Sequence, residues 1–178
     1  MTKNEQQTWH KVWHVGADVD TDALAPGAYM QHGVDVIAQH CLENLLPHFA
    51  RDVQPGDIIV AGRNFGIGSS REQAAAALKH LGVAAVIAPS YGGLFFRNAF
   101  NLGLLLLTYP DTDALQQHEL VAPVSIGSEV NFYPDKSIQT APIPDFLLDM
   151  VRAGGLVKQL KQTLNTPSKH IQLTKESI

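Results

Sequence analysis

Two hydroxyls and a guanidinium stand side by side at Ser69-Ser70-Arg71, directly after the glycine-punctuated run Gly66-Ile67-Gly68. An apolar, β-branched stretch from Asp57 to Ala61 precedes them, and a helix is predicted from Glu72 to Leu81. A turn between such a strand and helix gathers unpaired N–H groups at the positive end of the helix dipole, so it suits an anion. Arg71 adds a planar fork that matches a carboxylate. The spelling argues against phosphate. No lysine follows Gly68, as a Walker A loop requires, and Arg71 stands where a dinucleotide fingerprint needs a third small residue. A carboxylate is the better expectation. Spacing alone reads the serines as helix caps, since Ser69-x-x-Glu72 and Ser70-x-x-Gln73 are both capping boxes. Asp18, Asp20 and Asp22 alternate, but no glycine or closing glutamate follows at calcium-loop positions, so no metal is expected there. Asp20 or Asp22 is instead expected to cap a turn or to pair with an arginine such as Arg71. The eight histidines show no metal-ligand spacing, and surface or capping roles are expected for them.

The elements that position these residues alternate in type. Val12 to Val15 reads as a first strand, and Ala17 to Gly33 as a long loop of the length that often carries function. Val34, Ile37, Ala38, Cys41 and Leu45 recur at helical spacing, which makes Cys41 a small core residue. Strands at 58–61, 84–88 and 104–108 alternate with helices after the serines and at 94–100, the rhythm of an α/β domain with right-handed parallel connections. Glu129–Tyr133 and Ser137–Thr140 flank Pro134-Asp135-Lys136 as a hairpin. Phe146 to Ala153 reads as a last helix, stopped by Gly154-Gly155. One domain over residues 1–164 is expected, followed by a polar, mobile tail over 165–178.

Composition excludes several classes of function. With 45% hydrophobic residues in 178 the core is ordinary, and a net charge of -4 offers no basic surface to nucleic acid. No run approaches the roughly 18 apolar residues of a membrane span, and the first residues lack a signal peptide's apolar segment, so a cytoplasmic protein is expected. The single cysteine, Cys41, allows no internal disulfide and is too few thiolates for an iron–sulfur cluster. Any cluster must come from another chain.

Gly66-x-Gly68-Ser69-Ser70-Arg71-Glu72 resembles the signature of the swivelling domain of the aconitase superfamily. Other landmarks follow in order. Asp18 to Gly27 resembles that domain's Asp-Thr-Asp stretch ahead of a substrate-recognition loop. Ser90 to Asn98 and Asn101 to Leu104 resemble its next helix and strand, and Ala153-Gly154-Gly155-Leu156 its C-terminal helix end. The likeness is strongest to the small subunits of 3-isopropylmalate dehydratases. It implies a swivelling β/β/α fold of the α/β class, with a mostly parallel sheet flanked by helices. It also implies a hydro-lyase, active only with a large subunit, that isomerises 2- and 3-isopropylmalate by dehydration and rehydration in leucine biosynthesis. No cofactor is expected on this chain, and a [4Fe-4S] cluster is expected on the large subunit. The other partner implied is a small di- or tricarboxylate hydroxy acid.

By the same resemblance Ser69 is the proton-transferring base, with Asp22 as a second catalytic residue that orders the active-site loop. Such a base needs helix-start amides and an arginine around its oxygen in a site closed to solvent. Ser70, Arg71, Tyr29, Gln31 and His32 are the implied substrate contacts, supported by Asn64, Gly66, Gly68, Asp20 and Thr21. The chain departs from many relatives in Ile67 for cysteine and Gln73 for histidine, and in a loop, Tyr29-Met30-Gln31-His32, without arginine. A homoaconitate or 2,3-dimethylmalate type of substrate is therefore the alternative. A non-catalytic anion- or partner-binding module of the same fold is a third reading.

Overall fold

Four short strands build the parallel half of the sheet: β1 (His10–Val15), β2 (Ile58–Ala61), β3 (Ala85–Ala88) and β4 (Leu105–Thr108). They pair in parallel, with Val12 opposite Ile58, Ile58 opposite Ala85 and Ala85 opposite Leu105. Every residue of β2 and β3 is buried, as expected of strands covered on both faces. The other edge of β1 carries an antiparallel half, β5 (Leu120–Val121), β6 (Glu129–Phe132) and β7 (Lys136–Gln139), giving the order β4-β3-β2-β1-β5-β6-β7. This computed structural model describes residues 8–124 and 126–165. The expected hairpin is β6–β7; β5 has two residues and leaves no pattern to read.

Seven α-helices complete the described chain: α1 (Thr21–Leu24), α2 (Val34–Gln39), α3 (Phe49–Asp52), α4 (Glu72–His80), α5 (Gly93–Asn101), α6 (Asp145–Ala153) and α7 (Leu156–Asn165). Alternation along the parallel strands divides the core in two. Trp13, Ile59, Val86 and Leu106 face one side, where Leu24, Ile37, Phe49, Leu78 and Phe100 pack on them from the helices and their flanks. Val12, Ile58, Ala85 and Leu105 face the other side, where Val121, Val130, Phe132 and Ile138 of the antiparallel half close over them. The sheet is thus curled, with helices on one face and its own antiparallel half across the other. Asp57, buried just before β2, accepts N–H bonds from Lys11, Gln54 and the Trp13 indole (2.9, 2.9 and 3.0 Å), locking β1 to the start of β2, at the end opposite the site loop.

Several expectations need correction. The stretch from Ala17 to Gly33 is not simply a loop; it holds α1 and one 3-10 turn, Gly27–Tyr29. The helical spacing read through to Leu45 breaks at Gln39, because Leu42 takes a positive φ of 59° and gives its N–H to the Ala23 carbonyl at 2.8 Å. Cys41 is still wholly buried, while Leu45 is 50% exposed. Helix α6 is not the last, since Gly154 and Gly155, with φ of 77° and 118°, turn the chain straight into α7. Not all histidines lie at the surface. His14 Nε2–H donates to the His118 carbonyl, and buried His118 donates from Nδ1 to Tyr133 O, each at 2.9 Å. The tail expected from 165 onward lies outside the described residues apart from Asn165, which closes α7.

Candidate active site

The segment from Gly62 to Arg71 leaves β2 and is held on both flanks before α4 begins. On one flank Asp18 N–H bonds to Arg63 O (2.8 Å), Gly66 N–H to Val19 O (2.7 Å) and Thr21 N–H to Ile67 O (2.8 Å). On the other, Phe65 N–H bonds to Ser90 O and Gly92 N–H to Phe65 O, at 3.1 and 2.9 Å. Asn64 reinforces both sides. Its Nδ2 donates to Asp18 Oδ1 at 2.7 Å, its backbone N–H reaches Ser90 Oγ at 2.9 Å, and Ser90 Oγ–H returns to Asn64 Oδ1 at 3.3 Å. Two glycines make the path possible. Gly66 (φ 76°) lies against the buried Phe95, and Gly68 (φ 107°) lies against Thr21, where a Cβ would stand 3.2 Å from Thr21 Oγ1.

This path sets Ser69 beside Thr21. Ser69 N–H donates to Thr21 Oγ1 at 3.1 Å, the two hydroxyl oxygens are 3.0 Å apart, and Arg71 N–H approaches Ser69 Oγ at 3.4 Å. The capping boxes therefore do not form. Helix α4 starts at Glu72 with Arg71 in the N-cap position, and no side chain caps it. The reason is the docking of residues 66–69 on 19–21, which commits the Ser69 oxygen to Thr21 and Arg71 instead of to the helix. Ser70 keeps an exposed side chain, and its carbonyl accepts from Nδ2 of buried Asn98 at 3.1 Å.

Arg71 turns back to the Asp-Thr-Asp stretch. Its Nη1 donates to Asp22 Oδ1 (2.6 Å) and to the Ala25 carbonyl (3.0 Å), and Gly27 N–H also reaches Asp22 Oδ1 at 3.0 Å. The Arg71 bond, and after it the Gly27 amide, hold the Asp22 carboxyl below its ordinary pKa. Nε and Nη2 of Arg71 have no hydrogen-bond partner among the described residues, so one edge of a fixed fork remains for a ligand. Asp20 accepts from Ala23 N–H at 2.7 Å and caps α1.

Among the described residues, no hydrogen bond joins Tyr29, Gln31 or His32 to Ser69, Ser70 or Arg71. Tyr29 stacks on His40, with ring centroids 3.5 Å apart and planes 8° from parallel, and His40 Nδ1 is 2.6 Å from Glu43 Oε2. Gln31 and His32 are exposed on the short link that follows. The Tyr29–His40 stack and the Thr21–Ser69 contact leave no signal in spacing. Asn98 does leave one, as a polar residue on the buried face of an apolar helix.

Both serine side chains are exposed, and Arg71 is 28% exposed at its side chain, so the cluster forms an open rim. A cleft of about 360 Å³ lies beside it, between Gly66–Gly68 and Gly92–Leu94. A cleft of about 440 Å³ at the ends of the parallel strands, lined by Arg63, Thr112 and Gln116 among others, does not reach the serines. Among the described residues no three His, Cys, Asp or Glu side chains group as metal ligands, and burial pushes the Cys41 thiol well up. No helix among the described residues is long and apolar enough to cross a membrane.

Residues 22–112 match the family model of the aconitase C-terminal domain, and the chain belongs to that family. That span holds the Asp22–Arg71 pair, the serine loop and strands β2 to β4. Among its relatives, the 3-isopropylmalate dehydratase small subunit of Thermodesulfovibrio yellowstonii is 42% identical over 158 residues, covering 87% of this chain and 94% of the relative. The methanogen homoaconitase small subunit of Methanothermobacter thermautotrophicus is 43% identical over 157 residues, covering 88% and 92%. The crystal structure of 3-isopropylmalate dehydratase from Methanocaldococcus jannaschii superposes with a TM-score of 0.81 at 37% identity, over 88% of this chain and 94% of that one. The expected fold class and the resemblance to these small subunits both hold.

Proposed function

We propose that the chain is the small, swivelling subunit of a hydro-lyase that interconverts 2- and 3-isopropylmalate by dehydration and rehydration, a step of leucine biosynthesis. In this reading it is active only with a large subunit. The observation that carries the reading is the Ser69 oxygen: it caps no helix, and it lies between the Thr21 hydroxyl and the Arg71 N–H beside a half-free guanidinium. Arg71 binds a substrate carboxylate through its unpaired edge while Asp22 and the Ala25 carbonyl keep the fork in place. Ser69 Oγ then takes the proton from the carbon next to that carboxylate, and returns it in the hydration direction. The C–H electron pair becomes the new double bond as hydroxide leaves. Asp22 acts through Arg71, and Ser70 adds a hydroxyl donor at the rim. Loss of hydroxide calls for a Lewis acid, and a [4Fe-4S] cluster of the large subunit supplies it when bound. This chain does not fit such a group, since its one thiol is sealed in the core. An anionic serine oxygen needs a dry surround, so the open rim requires a second wall, which the large subunit provides.

A second reading is favoured by the near-equal identity to the methanogen homoaconitase small subunit, 43% against 42%, together with the loop that lacks arginine. Here the core chemistry is kept and the recognised side group differs. Both readings are tested by purifying the tagged chain anaerobically with its native partner and assaying the complex with 3-isopropylmalate and homoaconitate. A complex that turns over the first supports the main reading, and one that prefers the second replaces it. A chain that emerges without a partner and acts on neither overturns both.

A further inference from the structure

We propose that Thr21 is the hydrogen-bond donor that positions the Ser69 oxygen and stabilises its anionic form. The inference rests on the reading of Ser69 as the base and deepens it. Thr21 is 2% exposed, and its backbone N–H is already committed to the Ile67 carbonyl at 2.8 Å. Its Oγ1 accepts the Ser69 N–H at 3.1 Å and lies 3.0 Å from Ser69 Oγ, with no other hydrogen-bond partner among the described residues.

A hydroxyl has one proton and two lone pairs, and that inventory decides the direction of the contact. The Ser69 N–H occupies a lone pair of Thr21, which leaves the Thr21 proton for Ser69 Oγ. While Ser69 is neutral either oxygen can donate. Once Ser69 is ionised, only Thr21 has a proton to give, and the contact becomes a charge-assisted bond. Arg71 N–H, at 3.4 Å, is a longer second donor to the same oxygen. Gly68 is what permits the approach, since a side chain at that position would crowd Thr21 Oγ1. Thr21 therefore does two things. It holds the Ser69 backbone by accepting, and it steadies the Ser69 oxygen by donating, while keeping its own proton throughout.

The shape and the hydroxyl of threonine can be separated by substitution. Thr21→Val keeps the branched shape and loses the donor; Thr21→Ser keeps the donor and loses a methyl. Each variant is assayed in the complex with the large subunit, on whichever of 3-isopropylmalate and homoaconitate the unaltered complex turns over. Thr21→Val is expected to lower kcat roughly ten- to a hundredfold, the size of a lost hydrogen bond to a charged group, with KM changed by less than about threefold. Thr21→Ser is expected to restore most of that loss. In a Ser69→Ala background Thr21→Val should lower kcat by less than about threefold more, because the oxygen it serves is gone and only its hold on the backbone N–H of residue 69 is left to lose. Should Thr21→Val not assemble, Thr21→Ser and Thr21→Ala are compared, with activity following the hydroxyl in both. The inference is overturned if Thr21→Val turns over normally while Ser69→Ala is inactive, or if Thr21→Ser is as poor as Thr21→Val or Thr21→Ala. A fully active Ser69→Ala complex is a separate result, which removes the base reading itself.

Discussion

A methyl group added at position 66 has no room. Gly66 has a φ of 76°, and an alanine Cβ there would lie 2.6 Å from the Cβ of Phe95, a residue only 1% exposed that stacks edge-on against Phe65 at 5.4 Å. Neither partner can move away cheaply, because the atom in the way is at the root of a core side chain and the Gly66 N–H is tied to Val19 O at 2.7 Å. A left-handed L-residue costs about 1–2 kcal/mol, and forcing an extra carbon into a packed core costs about 1–3 kcal/mol. Gly66→Ala should therefore destabilise the chain by about 2–5 kcal/mol, which for a domain of this size lowers Tm by about 4–20 °C. Thermal and urea unfolding of the purified chain measure this directly. Gly93→Ala is the matched control, since Gly93 opens α5 with nothing within 4 Å of an added Cβ, and it should cost nothing. A Gly66→Ala chain within about 0.5 kcal/mol of the parent, inside ordinary surface variation, would refute the account of how this loop is threaded.

Ser69→Ala should lower Tm by about 2–12 °C, the cost of leaving the Thr21 hydroxyl without its partner, and lower kcat of the assembled complex by about a hundredfold or more; unaltered turnover would defeat the proton-transfer reading. Arg71→Lys should raise KM by about tenfold, as a point charge replaces a fork already pinned by Asp22 and Ala25, and an unchanged KM would argue against carboxylate binding there. Asp22→Asn gives a pH test. The folded pKa of Asp22 is depressed below 3.8, so its contribution is present above that value and fades as pH falls through the folded pKa. With its side chain 64% exposed the contribution is less than about 1 kcal/mol. The stability gap between parent and Asp22→Asn should be open at pH 7 and narrow below pH 3.8; a gap that widens in acid would reverse the assignment.

Much of the scaffold could be read from local order. Strands β2 to β4 are short apolar runs buried on both faces, and a run of that kind reports its environment directly. The β6–β7 hairpin carries its alternation and turn residues, and the Gly154-Gly155 stop shows where α6 must end. The glycines and the Ser-Ser-Arg run likewise marked the loop after β2 as the candidate site, within the span that matches the family model. Reading failed where a long-range bond outbid a local preference. The Leu42 amide, taken by Ala23, ended a helix whose apolar spacing ran on to Leu45. The two-residue β5 owes its existence to its neighbours, β1 and β6.

The serines show the same division most clearly. Residue types and spacing determined that an anion-suited turn precedes α4 and that two hydroxyls and an arginine sit on it, since those are properties of adjacent residues. They equally predicted a capping box, which has the same spelling. Only the tertiary structure decided against the capping box, because the partners that hold Ser69 and Arg71, Thr21 and Asp22, lie 48 and 49 residues away from them. A capping hydroxyl works as an acceptor, and the fold turns the Ser69 oxygen toward Thr21 and the Arg71 N–H instead of toward the first turn of the helix.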